Sequence, residues 1–223
     1  MTLFGPLGDS AARAAAVPGI DELPETFRGA LTQLRRASPR PEALVQEVPA
    51  PRKLAPYAVA LRAEITSQAA TSGAHPVTRL RPGAEAEENL ATGRMILLHD
   101  PAGQEAWGGT FRMVIYIRAA LESEMGNDPL LASVAWTWLC DSLAQYGVDY
   151  SHAGGTATRI LSESFGSLQT RPASNDVELR ASWTPADTSF APHMEAWADM
   201  VCSFAGLPPV PDGVLTLPHI RRG

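Results

Sequence analysis

The residues best suited to chemistry lie on one short stretch, His99-Asp100-Pro101-Ala102-Gly103-Gln104-Glu105-Ala106-Trp107-Gly108-Gly109. It gathers an imidazole, two carboxylates, an amide and an indole. Imidazole and carboxylate are good ligands for zinc or manganese, so such a loop could chelate a metal or hold a polar ligand. The competing reading needs no ligand. Asp-Pro-x-Gly is ordinary turn chemistry, in which Asp caps the turn, Pro presets φ and Gly supplies positive φ. Trp107 would then pack as a lid over the sheet edge. A second candidate, His152-Ala153-Gly154-Gly155-Thr156, could bring backbone N–H groups close to an anion. It lacks the full G-x-G-x-x-G pattern and leads into a strand, which removes the helix-dipole argument for a phosphate site. The candidate ligand-binding set is therefore His99, Asp100, Glu105, Trp107 and His152, with no metal or cofactor assigned and the catalytic residues unknown. If it is a site, these side chains converge in one pocket with displaced pKa values.

Other motifs point away from familiar enzymes. Ser162 and Ser164 lie on an expected strand without a G-x-S-x-G elbow. No H-E-x-x-H, P-loop or EF-hand spacing occurs. The five histidines, at 75, 99, 152, 193 and 219, include no pair within i, i+4 reach on one helix. Cys140 and Cys202 form no C-x-x-C pair and read as apolar thiols in amphipathic helices. Trp136, Trp138, Trp183 and Trp197 read as core or interface. Trp136 and Trp138 point to different sides of one helix, so at least one is expected at a second packing layer or a protein interface.

The elements that would position these residues follow from periodicity. A helix is expected from Pro24 to about Ala37, with Phe27, Leu31 and Leu34 as its apolar stripe and Pro39 and Pro41 ending it. Residues 54–65 alternate as a half-buried strand. Residues 66–92 form a long polar connection, expected to be the most mobile segment. Met95–Leu98 reads as a central strand. After a wide loop, residues 110–121 alternate again, with Phe111, Met113, Ile115 and Ile117 against Arg112, Tyr116 and Arg118. Asp128-Pro129 starts a helix that runs to Gly147 and is apolar on most sides, so it is expected to pack centrally on the sheet. Strands follow at 156–165 and 176–184, then a helix from Pro192 carrying Trp197, Met200, Val201 and Phe204, closed by Gly206 and Pro208. The order α-β-β-β-α-β-β-α with hairpin spacing gives an α+β fold on an antiparallel sheet of about five strands. Residues 1–20 read as a flexible leader, 21–206 as one domain and 207–223 as a proline-rich extended tail.

Composition sets outer limits. A chain of 223 residues with 45% hydrophobic and 19% charged residues can bury a core without staples. Its net charge is −6, and Lys53 is the sole lysine. An acidic chain without a basic stripe is a poor generic binder of nucleic acid or anionic membrane. Arg112, Arg118, Arg159 and Arg180 could still form a basic groove for RNA if they shared one face. No run approaches the roughly 18 apolar residues of a membrane span, and no secretory signal is visible, so the cytoplasm is the expected compartment.

Longer strings carry a resemblance. GRMILLHDPAGQEAWGGTFRMVIYIRAALESEM, then DPLL, WTWL, AGGTATRILSESFG and ELRASWTP, resemble the actinobacterial domain of unknown function 3000 family from about Leu23 to the end. The resemblance implies an intracellular actinobacterial protein with no established activity, cofactor or catalytic residues. It also implies gene neighbours that include a ribonuclease D-like exonuclease, which makes such an exonuclease an expected partner. The leading expectation is a non-catalytic protein-interaction or regulatory module with an as yet unidentified protein partner. The alternative is an enzyme, or a small-molecule or metal sensor, with its site near the 99–109 loop. No membrane partner is expected.

Overall fold

The computed structural model describes residues 23–51, 53–67, 89–121 and 128–207. The expected leader and tail, most of the 66–92 connection, His75 and His219 lie outside them. The described elements run α1 (Glu25–Arg36), β1 (Leu44–Val48), β2 (Tyr57–Thr66), β3 (Asn89–Gln104), β4 (Gly109–Leu121), α2 (Leu131–Gln145), β5 (Tyr150–Ser162), a short 3-10 turn (Gly166–Leu168), β6 (Ser174–Pro185) and α3 (Phe190–Phe204). The six strands form one antiparallel sheet in the order β1-β2-β3-β4-β6-β5. The fold class is the expected α+β.

The period-two patterns decide which face is covered. Val59, Leu61, Ala63 and Ile65 of β2, Met95 and Leu97 of β3, Phe111 to Ile117 of β4 at odd positions, and Val177 to Trp183 of β6 at odd positions are all buried on one side. On that side lie the helices. α1 turns Phe27, Ala30 and Leu34 inward. Asp128 forms the turn that leads into α2, its carboxylate accepting from the Leu130 N–H at 2.8 Å, while the helix itself begins two residues later than expected, at Leu131, with no side-chain cap at Leu130. Gly147 and Gly206 follow α2 and α3 with positive φ, the glycine stop signal.

Three expectations change. α2 does not cover the middle of the sheet. That place belongs to α3, which buries eleven of its fifteen residues, whereas α2 flanks it with Trp136 over β5. The reason is in the strand beneath: Gly93 of β3 removes a side chain where Val201 and Trp197 of α3 descend. A Cβ built there would lie 2.5 Å from Val201 Cγ2 and 3.0 Å from Trp197 Cζ2. Second, β1 adds a sixth strand between Pro41 and Pro49. It is an edge strand of only five residues, a position where flanking prolines remove no ladder bond. Third, the wide loop after Leu98 is mostly strand. β3 runs on to Gln104 through a register shift, leaving a tight turn before Gly109.

Gly93→Ala is expected to cost about 1–3 kcal/mol through overpacking against α3. Urea unfolding monitored by tryptophan fluorescence checks this; an unchanged midpoint would contradict the close approach.

Candidate functional site

The sequence candidates all sit at one end of the sheet, at the β3–β4 turn and the neighbouring start of β5. His99 is 2% exposed and faces the helices. Its ring stacks on Phe111 with centroids 4.1 Å apart and on Phe27 at 5.8 Å. Nδ1 pairs with the Thr110 carbonyl at 3.0 Å and Nε2 with Thr26 Oγ1 at 3.2 Å. Burial holds its pKa below the ordinary value, so the imidazole is neutral. Asp100 accepts from Ala102 N and Gln104 Nε2, both at 3.1 Å. That is the Asx-turn geometry its sequence context suggests. Glu105 is exposed and Trp107 half-buried, with the Trp107 carbonyl accepting from Thr184 Oγ1. His152 is exposed with φ of 50°, its Nδ1 against Ser151 Oγ at 3.0 Å. Its ring packs over Gly108, where a Cβ would come within 2.5 Å of Cε1. The structure thus brings His152 to the turn that holds Trp107 and Glu105, and sends His99 into the core. No hydrogen bond, ion pair or ring contact joins the two histidines. Among the described residues no group of three or more His, Cys, Asp and Glu gathers as a metal would need.

A different feature stands out beside that turn. β5 is thirteen residues long, pairs only with β6 among the described strands, and is exposed along almost its whole length. Gly154 and Gly155, which the sequence reads as opening this strand, lie inside it. Gly155 lets Trp136 approach: a Cβ there would be 2.9 Å from Trp136 Cζ3 and 2.6 Å from the Arg180 carbonyl. The strand is held by Arg112, whose Nη1 reaches across β6 to the His152 carbonyl at 2.9 Å and to Thr184 Oγ1 at 3.0 Å, while Nη2 donates to Ser182 Oγ at 2.7 Å.

At the far end of β5, Leu161 is 63% and Phe165 76% exposed, with Leu168 at 46%. Arg159, on the same face as Leu161, donates to the Asp128 carbonyl at 2.9 Å. This ties the strand end to the start of α2, where Leu130 is 63% exposed. Singly such residues are unremarkable; four large apolar side chains around one strand end are an interface signature. The sequence reading missed them, although a signal existed. Ile160-Leu161 and Phe165-Gly-Ser-Leu168 carry apolar residues that fit no alternating core face.

A family model described as a protein of unknown function (DUF3000) matches residues 23–215, a span that includes every described element. The chain belongs to that family. No curated protein and no solved structure matches it.

This DUF3000 chain also has an apolar cavity of about 240 Å3 at the same helix end, lined chiefly by Leu131, Ala135 and Trp138 of α2, Leu121, Val177 and Phe204. Trp138 meets Phe204 edge-on at 5.7 Å. Cys140 and Cys202 are both free, as the sequence reading expects. Burial pushes the Cys202 thiol up to about 12, which leaves it protonated and unreactive. Among the described residues no helix is long and apolar enough to cross a membrane.

Proposed function

We propose that this protein is a non-catalytic cytoplasmic interaction module that takes an extended segment of a partner protein as an additional strand along β5. The observation that supports this reading is a long edge strand, paired with β6 alone among the described strands and nearly free of charge, flanked by exposed Leu130, Leu161, Phe165 and Leu168. Edges of this kind are a liability that proteins shorten, charge or cover. Between Tyr150 and Ser162 Arg159 is the one residue of the Asp, Glu, Lys and Arg types, and its guanidinium donates to the Asp128 carbonyl. Backbone groups of β5 would supply the ladder and the four apolar side chains the specificity. A ribonuclease D-like exonuclease is the first partner to try, on the strength of the actinobacterial family resemblance.

Capture from a lysate of the source organism, washed at low and high salt, tests it. Tagged wild-type protein is expected to retain one stoichiometric partner at both salts. A Leu161→Glu/Phe165→Glu variant, altered only at exposed positions, is expected to lose it by more than about tenfold, since each buried side chain is worth about 1.5–3 kcal/mol. Retention unchanged in the variant, or no partner at either salt, contradicts the reading. A dimer dispersed by the same substitutions would replace the outside partner with a second copy.

A further inference from the structure

The face of the sheet opposite the helices has its own chemistry. In the paired region of the sheet the side chains on this face include Arg62, Arg94, Arg112, Arg118 and Arg180 against Glu64, Asp176 and Glu178. Five arginines meet three carboxylates, on a chain whose net charge is −6. Every one of those carboxylates is taken. Glu64 pairs with Arg62, Asp176 with Arg118, and Glu178 with Arg118 and Arg180 while accepting from Tyr116 Oη at 2.7 Å. Arg94 is exposed, and Arg112 is half-buried with only neutral acceptors. Among the described residues no carboxylate pairs with either. Burial holds the Arg112 pKa below the ordinary arginine value, with no carboxylate to offset it. Register places Ile96 and Val114 opposite each other, between the row of Arg94 and Tyr116 and the row of Leu98 and Arg112. No described helix packs here.

We infer that this face, on which Leu98 is buried and Ile96 and Val114 are half-buried, docks an acidic amphipathic segment of a partner protein, its carboxylates on Arg94 and Arg112 and its apolar side chains on Ile96 and Val114. Charge complementarity selects the occupant. A nucleic acid strand fits less well, because stacking needs free aromatic rings. Tyr116 is the aromatic residue of this face among the paired positions, and its ring already lies 5.5 Å from the Arg180 guanidinium. Arg159, which the sequence grouped with Arg112, Arg118 and Arg180, sits on the opposite face. This surface meets β5 at Arg112, whose Nη1 donates to the His152 carbonyl, away from the exposed Leu161 end, and binding here is salt-sensitive where strand addition is not.

Fluorescence anisotropy with a labelled synthetic Glu/Leu amphipathic peptide tests the inference, with an all-Glu peptide and a uridine oligonucleotide as further probes. The Glu/Leu peptide is expected to bind at low salt and more tightly than either other probe. Arg94→Glu, at an exposed side chain that supports no other residue, is expected to weaken it roughly tenfold or more. Arg35→Glu/Arg36→Glu, an even larger charge change on the exposed side of α1, is expected to leave affinity within about twofold. Absence of peptide binding, equal weakening by both variants, or preference for the oligonucleotide would overturn it. The Leu161→Glu/Phe165→Glu variant is expected to bind the peptide normally, so failure here and failure at β5 are distinguishable.

Discussion

Asp199→Ala is expected to lose about 3 kcal/mol of stability, seen as a lower urea midpoint with an unchanged slope. Arg40 lies on the connection between α1 and β1, with its side chain 7% exposed, and Asp199 on α3 is 5% exposed. Nη1 meets Asp199 Oδ1 at 3.1 Å, and Nη2 meets Glu42 Oε1 at 3.1 Å. The pair pins the chain between α1 and the edge strand onto the one helix that occupies the centre of the core. Removing one member of a buried pair leaves the other charge desolvated, which costs roughly 3–5 kcal/mol. The lower end applies because Glu42 remains. Glu42→Ala, removing a partner 20% exposed, is expected to cost less than half as much, about 1 kcal/mol. Tyr146 offers a second readout. Its phenol is pushed up to about 12, first by burial and then by the charges of Asp199 and Glu195. Spectrophotometric titration of Asp199→Ala should find that tyrosine titrating earlier. Equal losses for the two variants would show that the pair is not the clamp described.

The second large effect is a loss of stability in mild acid. His193 is 1% exposed. Its Nδ1 accepts from Trp183 Nε1 at 2.9 Å, and burial lowers its pKa to about 4. His99 shifts in the same direction for the same reason. In the unfolded chain an imidazole takes up its proton near 6.5. Between pH 6.5 and about 4 the unfolded state therefore binds more protons than the native state, and stability falls as pH falls. With about 1.4 kcal/mol for each tenfold change in proton affinity, His193 alone contributes about 3 kcal/mol to that loss. Urea unfolding at pH 7 and pH 4.5 reads it directly. His193→Gln keeps an acceptor within reach of the indole and removes the titration, so its stability should change much less over that window. Stability that is flat or rising on acidification would contradict a neutral, buried His193.

The backbone of the fold was legible because burial and alternation coincide on β2, β4 and β6. Where one face of a strand is covered and the other wet, period two writes itself into residues 57–66, 111–119 and 177–183. The turn at Asp128 and the stops at Gly147 and Gly206 marked helices for an equally local reason. What was not legible depended on distant partners. The apolar character of α2 resembles that of α3, and only Gly93 on β3 says which of them reaches the sheet centre. Gly154 and Gly155 look like a turn until Trp136 is set above them. His99 reads as a ligand until Phe27 and Phe111 close over it, because a histidine in a polar turn and a histidine at the end of a buried strand have the same neighbours in sequence. The arginines were visible, but their company was not. Only the β4–β6 register assigns Asp176 and Glu178 to Arg118 and Arg180 and leaves Arg94 and Arg112 without a carboxylate among the described residues.

Amide hydrogen exchange of the captured complex against the free protein addresses the β5 reading most directly. In the free protein, β5 amides should exchange faster than those of the interior strands β2, β3, β4 and β6, having one partner strand among those described. In the complex, peptides covering 150–168 should gain protection while β2 and β3 do not change. Protection elsewhere with β5 untouched, or a β5 already as slow as β4 in the free protein, would contradict it.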